Sequence, residues 1–314
     1  MYIVKHRKIF YSISIFLIIA SIASYFIWGM KIGMDFKGGT AVQFDYQNGR
    51  PSIDVVKAEI DSLNFNPSIV GEYTLVPMGD NGYSLTLRTV SETERTELTA
   101  ALKANVANPV EIKQFNSVGP VLGKEARNKS LVSIVLVILF IVLYLTFAFR
   151  KVSDPVPSWK YGLISIIGLL HDVIIPTSIF IILGHFYHGY EIGTLFVTAI
   201  LVILGFSIHD TIVVFDRVRE NLKLNRVEKN PKTFEEVVGA SISQTFVRSI
   251  NTSLTTLLAV LVVYLIGPAS TKDFALALLI GIFFGTYSSI FICSNLLVTV
   301  EKMQSKKLSA SKKK

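Results

Sequence analysis

The stretch Ile192–Phe215, IGTLFVTAILVILGFSIHDTIVVF, is long and apolar enough to cross a membrane as one helix. A helix needs about 20 mostly apolar residues to cross the hydrocarbon core of a bilayer. Its only acidic residue, Asp210, is costly in such a place and therefore points either to function or to a buried partner. The stretch predicts a membrane protein with an ionisable site inside its membrane part.

Five further apolar stretches predict five further spans, and the composition agrees with them. The chain is 51% hydrophobic and 17% charged, whereas about a quarter of the residues are charged in soluble domains. Small residues between Ala20 and Ser24 suggest a cleaved signal peptide, but the apolar run continues to Trp28, which is too long for one. The predicted spans are residues 9–30, 131–149, 161–183, 192–215, 249–266 and 274–300.

The positions of Lys and Arg predict the orientation, because loops rich in these residues stay in the cytoplasm. The net charge of +8 therefore belongs to membrane flanks and not to a nucleic-acid surface. We expect cytoplasmic termini at residues 1–8 and 301–314, a cytoplasmic loop at 216–248, and an inner-membrane location. The basic residues that support this are Lys5, Arg7, Lys8, Arg150, Lys151, Lys160, Arg217, Arg219, Lys223, Arg226, Lys229, Lys232, Lys302, Lys306, Lys307, Lys312, Lys313 and Lys314.

Residues 31–129 are then expected outside the cytoplasm, as the one soluble domain. Strand-like alternation and helical spacing alternate along this region in the order βαββαβ, the ferredoxin-like arrangement. Ser91 and Glu94 form a capping box that begins the second helix. The predicted elements are a strand at 40–46, a helix at 52–64, strands at 68–78 and 82–90, a helix from 91 to about 106, and a strand at 110–117.

Two acidic residues lie within predicted spans, each directly after a histidine. Asp172 follows His171 in the third span, and Asp210 follows His209 in the fourth. Arg248 begins the fifth span at the cytoplasmic side, so Asp210 and Arg248 are expected at similar depth. Two interpretations remain open: a proton relay, in which contact with Arg changes the proton affinity of the carboxylate, or a structural ion pair. The histidines have a further interpretation as packing residues.

The fifth span is unusually polar for a membrane helix. Asn251, Thr252 and Thr255 recur at helical spacing and predict a face that supports the charged residues or lines a wet path.

Enzyme signatures are not found. The sequence has no phosphate-binding GxxxxGK[ST], no HExxH and no GxSxG motif. The single cysteine, Cys293, excludes an intrachain disulfide and a Cys-based metal site. We therefore expect neither catalytic activity nor a cofactor or metal. Gly38 and Gly39 are expected to permit a bend between the first span and the first strand.

Three motifs together resemble the SecF family of the bacterial Sec export machinery, within the RND superfamily. The first is the domain-junction motif Gly33–Thr40, GMDFKGGT, with Asp35, Gly38 and Gly39; the second is Gly205–Asn221, GFSIHDTIVVFDRVREN; the third is Arg248–Leu257, RSINTSLTTL. The family more usually has Asn before the aspartate of the second motif, where this chain has His209.

The resemblance implies an accessory subunit that pairs with SecD and the SecYEG channel. Such a subunit uses the proton motive force to promote late steps in the export of preproteins. Its proton path would fall on Asp210 and Arg248, and less directly on Asp172 and His171. Two alternatives remain: half of a proton-coupled small-molecule exporter, and a scaffold whose charges are structural. Such exporters usually have two six-span halves in one chain and larger external domains. The one six-span half and the small external region of this chain argue against that alternative.

Overall fold

The computed structural model describes residues 2–63, 65, 68–69, 72–103, 108–150, 155–187 and 189–311. The predicted helix ends at Asn64 and Val106, and the basic residues Lys151, Lys312, Lys313 and Lys314, lie outside these residues. The chain forms two compact units. One comprises residues 1–29, 133–182 and 198–314, and the other comprises residues 30–132 and 183–197.

In chain order the elements are α1 (Tyr2–Lys5), α2 (Arg7–Trp28), α3 (Met34–Lys37), β1 (Gly39–Tyr46), α4 (Ile53–Asp61), β2 (Thr74–Met78), β3 (Gly82–Leu87), α5 (Glu92–Lys103), β4 (Val110–Val118), α6 (Pro120–Ala148), α7 (Ser158–Phe186), α8 (Thr194–Asn225), α9 (Phe234–Ile266), α10 (Ala269–Tyr287), a π-helical segment (Ser288–Cys293) and α11 (Ser294–Ser311).

Among the described residues, six helical runs are long and apolar enough to cross a membrane, as the sequence predicts. They are α2, α6, α7, α8, α9 and the run from residue 270 to residue 306 that contains α10, the π-helical segment and α11. Helix α8 continues to Asn225 and α9 begins at Phe234, so much of the predicted loop 216–248 is helical. A capping box between Thr233 and Glu236 begins α9 well before its apolar part.

The second unit contains a four-stranded antiparallel sheet in the order β2-β3-β1-β4. Helices α4 and α5 supply Val56, Ile60 and Leu98 to its core, where they pack with Phe44 and Leu85 from the sheet. The capping box predicted at the start of α5 is confirmed, because the Ser91 amide donates to Glu94 over 2.8 Å and the Glu94 amide donates to the Ser91 hydroxyl over 3.3 Å.

In the membrane-helix unit, glycines allow close approach of the last span to its neighbours. A β-carbon at Gly168 on α7 would lie 2.4 Å from the Cys293 sulfur. Gly281 and Gly285 on α10 lie against Ile203 and Ser207 of α8, where added β-carbons would come within 2.1 Å and 3.0 Å of them. Small residues allow helices in lipid to pack closely and to exchange hydrogen bonds.

Candidate functional site: two buried carboxylates

Asp210 lies on α8 with 1% of its surface exposed. The Ser253 hydroxyl on α9 has two acceptors within reach of its single proton, Asp210 Oδ2 at 3.2 Å and the Ser249 carbonyl of its own helix at 2.9 Å. That hydroxyl also lies 2.6 Å from the Thr286 hydroxyl on α10. The neighbouring His209 is 60% exposed, and its Nδ1 lies 4.0 Å from Asp210 Oδ1. A buried carboxylate whose nearest partners are neutral hydroxyls is suited to gaining and losing a proton.

Arg248 lies on α9 near Asp210 but does not contact it. The side chain of Arg248 is exposed and acts on Asp210 only through space. Among the ion pairs between described residues, none joins Asp210 to Arg248. The two charges therefore interact through space without forming a fixed ion pair in this conformation.

The predicted polar face of α9 is directed away from Asp210. Asn251 and Thr255 are exposed. The Thr252 hydroxyl donates to the Arg248 carbonyl and the Thr255 hydroxyl donates to the Thr252 carbonyl, each over 2.9 Å. Hydroxyl groups that donate to carbonyls of their own helix do not donate to side chains on neighbouring helices. The buried polar residues of α9 are instead Ser241, Thr245, Ser249 and Ser253.

Asp172 on α7 is fully buried and lies within hydrogen-bond distance of three side chains. The Ser207 hydroxyl on α8 donates over 2.5 Å, and the Ser288 hydroxyl at the start of the π-helical segment donates over 2.8 Å. Nδ1 of His171 lies 2.9 Å from Asp172 Oδ1. The His171 Nε2 atom is buried and has no hydrogen-bond partner among the described residues, and its ring stacks on Tyr287 at 6.0 Å.

Hydroxyl groups that sequence reasoning missed surround the two buried carboxylates. Each carboxylate, Asp172 or Asp210, forms a carboxylate cluster with its neighbouring hydroxyl groups. Ser207 stands three residues before Asp210, on the same helix. The Thr211 hydroxyl lies 2.8 Å from the Ser289 hydroxyl, and Ser289 in turn donates to the Ser207 carbonyl over 3.1 Å. The signal available in the sequence was the run of small hydroxyl residues near the glycines of the last span, since serine is common at close helix contacts.

The domain-junction motif lies in the second unit and ties several segments together there. The Asp35 carboxylate accepts a hydrogen bond from the Thr194 amide over 2.9 Å, and thus caps the first turn of α8. Gly38 has φ +82°, and a β-carbon there would lie 2.9 Å from the Pro120 backbone. A β-carbon at Gly39 would lie equally close to the Leu87 carbonyl oxygen, at 2.9 Å. The motif therefore makes close backbone contacts within this unit.

Within the part of the chain that the structure describes, no group of three or more His, Cys, Asp or Glu residues is placed to hold a metal ion.

The chain is similar to proteins of one family. The family model of the SecD/SecF protein export membrane protein, C-terminal part, matches residues 98–303. The "Protein translocase subunit SecF" of Thermobaculum terrenum is 43% identical over 95% of this chain and 93% of its own length. The subunit of the same name from Anaerolinea thermophila is 33% identical over 95% of this chain and 94% of its own length.

A solved structure is similar over nearly the whole chain. It is SecDF, a translocon-associated membrane protein from Thermus thermophilus, with 29% identity and a TM-score of 0.82. The match covers 96% of this chain and 39% of that one, so this chain spans about two fifths of the SecDF chain. The motifs, the six spans and these similarities agree, and the chain belongs to the SecD/SecF family.

Proposed function

We propose that this chain is the SecF subunit of a bacterial protein translocase and promotes the export of preproteins across the cytoplasmic membrane. The relatives similar over nearly their whole length carry the name of that subunit. The second and third sequence motifs contain Asp210 and the hydroxyl neighbours Ser207 and Ser253 of the two buried carboxylates, and the first motif is the domain junction. The protein acts as an accessory subunit and carries out no chemical conversion of its own.

We propose that a SecD subunit completes the membrane bundle and that the complex works with the SecYEG channel. The similar SecDF chain is more than twice as long as the part that this chain matches. His209 and Arg248 are exposed, and each lies on a helix that is long and apolar enough to cross a membrane. Because exposed charge is costly in lipid, these side chains are suited to face a partner protein rather than acyl chains.

We propose an orientation with both termini in the cytoplasm and the sheet-containing domain outside, as the distribution of basic residues predicts. The sheet order β2-β3-β1-β4 with two helices on one face supports a ferredoxin-like domain. A domain in this position is able to contact the emerging preprotein.

The proton motive force supplies the energy in this proposal, and Asp210 binds the proton. The observation that carries it is the burial of Asp210 in a membrane helix with Ser253 as its hydrogen-bond donor and no ion pair to Arg248. When a proton binds, the attraction between the carboxylate and the nearby guanidinium disappears. Loss of this attraction favours a rearrangement of helices α8 and α9. Proton flow is thereby coupled to motion.

The test is preprotein translocation into inverted membrane vesicles that contain this protein and SecD. Wild type is compared with Asp210→Asn, with and without a proton gradient, after equal assembly has been confirmed. Asp216→Asn is the matched control, because Asp216 is an exposed acid on the same helix. We expect Asp210→Asn to lose the gradient-dependent part of translocation and Asp216→Asn to keep it. Equal gradient-dependent yields from Asp210→Asn and wild type would overturn the proton assignment.

A further inference from the structure

Helix α8 and the last span each contribute to both carboxylate clusters. Helix α8 contains Asp210 and also donates to Asp172 through Ser207. The last span donates to Asp172 through Ser288, and its Thr286 reaches Asp210 by way of Ser253. A shift between these two helices therefore changes the surroundings of both carboxylates together.

Ser288 has two acceptors within reach of a single hydroxyl proton. Its oxygen lies 2.8 Å from Asp172 Oδ2 and 3.0 Å from the carbonyl of Gly285 in its own helix. A hydroxyl group has one proton and donates to only one of them at a time. An ionised carboxylate accepts a hydrogen bond more strongly than the Gly285 carbonyl does. A protonated carboxyl group loses this advantage over the carbonyl.

The π-helical segment explains why two adjacent hydroxyls face the bundle interior at this point. Ser288 and Ser289 are both fully buried, with Ser288 on Asp172 and Ser289 on Thr211 and the Ser207 carbonyl. The Ser294 hydroxyl donates to the Ser289 carbonyl, five residues earlier, over 2.8 Å. The interval of five residues equals that of the backbone hydrogen bonds in a π-helix, with a side-chain hydroxyl as the donor here. Turns of π-helix often mark functional sites in helices.

Resting on the proposed function, we infer that Ser288 is a positioning residue that senses the charge of Asp172. Its hydroxyl donates to Asp172 when that carboxyl group is ionised, and turns to the Gly285 carbonyl when Asp172 is protonated. The last span thus has a different hydrogen-bond arrangement for each charge of a second buried carboxylate, separate from Asp210. The other titratable groups at this place are His171 on the same helix and Cys293 on the last span, with Tyr287 against the His171 ring.

The experiment is infrared spectroscopy of the purified complex with SecD, in which the carboxyl bands report hydrogen bonding directly. The Asp172 band is identified as the one that disappears in Asp172→Asn, or that moves in Asp172→Glu if the first variant fails to assemble. Ser288→Ala removes the donor, and Ser288→Thr keeps it. Ser165→Ala is the matched control, since Ser165 is a buried serine on α7 whose hydroxyl donates to the Tyr161 carbonyl of its own helix.

We expect the Asp172 band to shift in Ser288→Ala, and to remain at or near its wild-type position in Ser288→Thr and Ser165→Ala. In translocation, we expect Ser288→Ala to lower the gradient-dependent part by about ten-fold, the equilibrium change that corresponds to one hydrogen bond to a charged group. An unchanged Asp172 band in Ser288→Ala would overturn the inference. The spectrum does not depend on export, so this result is distinct from a failure of the Asp210 test.

Discussion

The Ser253 hydroxyl on α9 lies within hydrogen-bond distance of the carboxylate of Asp210 on α8, at 3.2 Å, and both side chains are buried. Arg248, just over one turn earlier on α9, is exposed and forms no ion pair with that carboxylate. Sequence analysis would choose the arginine as the partner of Asp210, but the buried neighbour in the structure is a small hydroxyl group. A neutral partner leaves the carboxylate free to change its charge without breaking a buried ion pair.

Replacement of Ser253 by alanine is expected to impair the Asp210 site more than replacement of Thr255 by valine. The first change removes a hydrogen bond to a buried carboxylate, which is worth about 1.5–3 kcal/mol. The second removes a hydroxyl that bonds only to the carbonyl of Thr252 on its own helix. The measurement is gradient-dependent translocation by vesicles with equal amounts of assembled protein. An equal or larger defect in Thr255→Val would show that the exposed face of α9 is the important one.

Gly168→Ala is expected to destabilise the packing of α7 against the last span. The added β-carbon would lie 2.4 Å from the Cys293 sulfur, and overpacking of this kind costs about 1–3 kcal/mol. Thermal unfolding of the purified protein, followed by tryptophan fluorescence, measures the effect.

The double variant Gly168→Ala with Cys293→Ala serves as the control for this prediction. Removing the sulfur makes room for the new methyl group, so the double variant should recover most of the lost stability. If the two single changes simply add, the collision at Cys293 is not the cause.

The capping box of α5 is expected to give the sheet-containing domain a pH-dependent stability. The hydrogen bond from the Arg88 guanidinium, assisted by the Ser91 amide, lowers the pKa of Glu94 from its usual 4.5 to about 2. Because the folded state lowers this pKa, the stabilisation is fully present above pH 4.5 and is lost as the pH falls toward 2. Hydrogen exchange of the α5 amides in the complete protein measures it.

At neutral pH, Glu94→Gln should speed exchange in α5, by an amount that corresponds to about 1–2 kcal/mol. The difference from wild type should shrink as the pH is lowered, since wild type then loses the same charge. Glu97→Gln, an exposed residue of the same helix, should exchange like wild type. A Glu94→Gln difference that does not depend on pH would contradict the assignment.

Gly38→Ala is expected to destabilise the domain junction, whereas Gly119→Ala should have little effect. Gly38 has φ +82° and no room for a β-carbon beside Pro120. Gly119 directly precedes the same proline. A β-carbon at Gly119 would have no neighbouring atom within 4 Å. Strain and collision together predict a loss of about 1–3 kcal/mol for the first variant. Faster hydrogen exchange in β1 would reveal it, and equal exchange in both variants would refute it.

Hydropathy predicted the six spans because each apolar run is long enough to leave little choice of structure. It could not predict the helix bounds in the region 216–248. Helix α9 starts at the Thr233 cap, and polar residues before a span are compatible with either a helix or a loop. The order of strands and helices in the domain followed from alternation and from turn residues such as Gly79 and Gly82.

The carboxylates were recognisable from the sequence because charge inside an apolar run is rare, but their partners were not. Ser207, Ser253 and Ser288 are ordinary serines whose role depends on which way each helix faces. In helices that are apolar nearly all round, the pattern of residues does not settle that direction. The exposed position of Asn251 and Thr255 illustrates the same difficulty from the opposite side.

The pairing of β1 with β4, which aligns Gly39 with Val118, affects how the protein itself is made. Its sheet has the first strand of the domain beside the last, so the sheet is complete only when the chain has been synthesised through residue 118 and lies on one side of the membrane. In the proposed orientation, residues 39–118 must therefore cross the bilayer before they fold. An export component would in this way be an early client of the pathway that it serves.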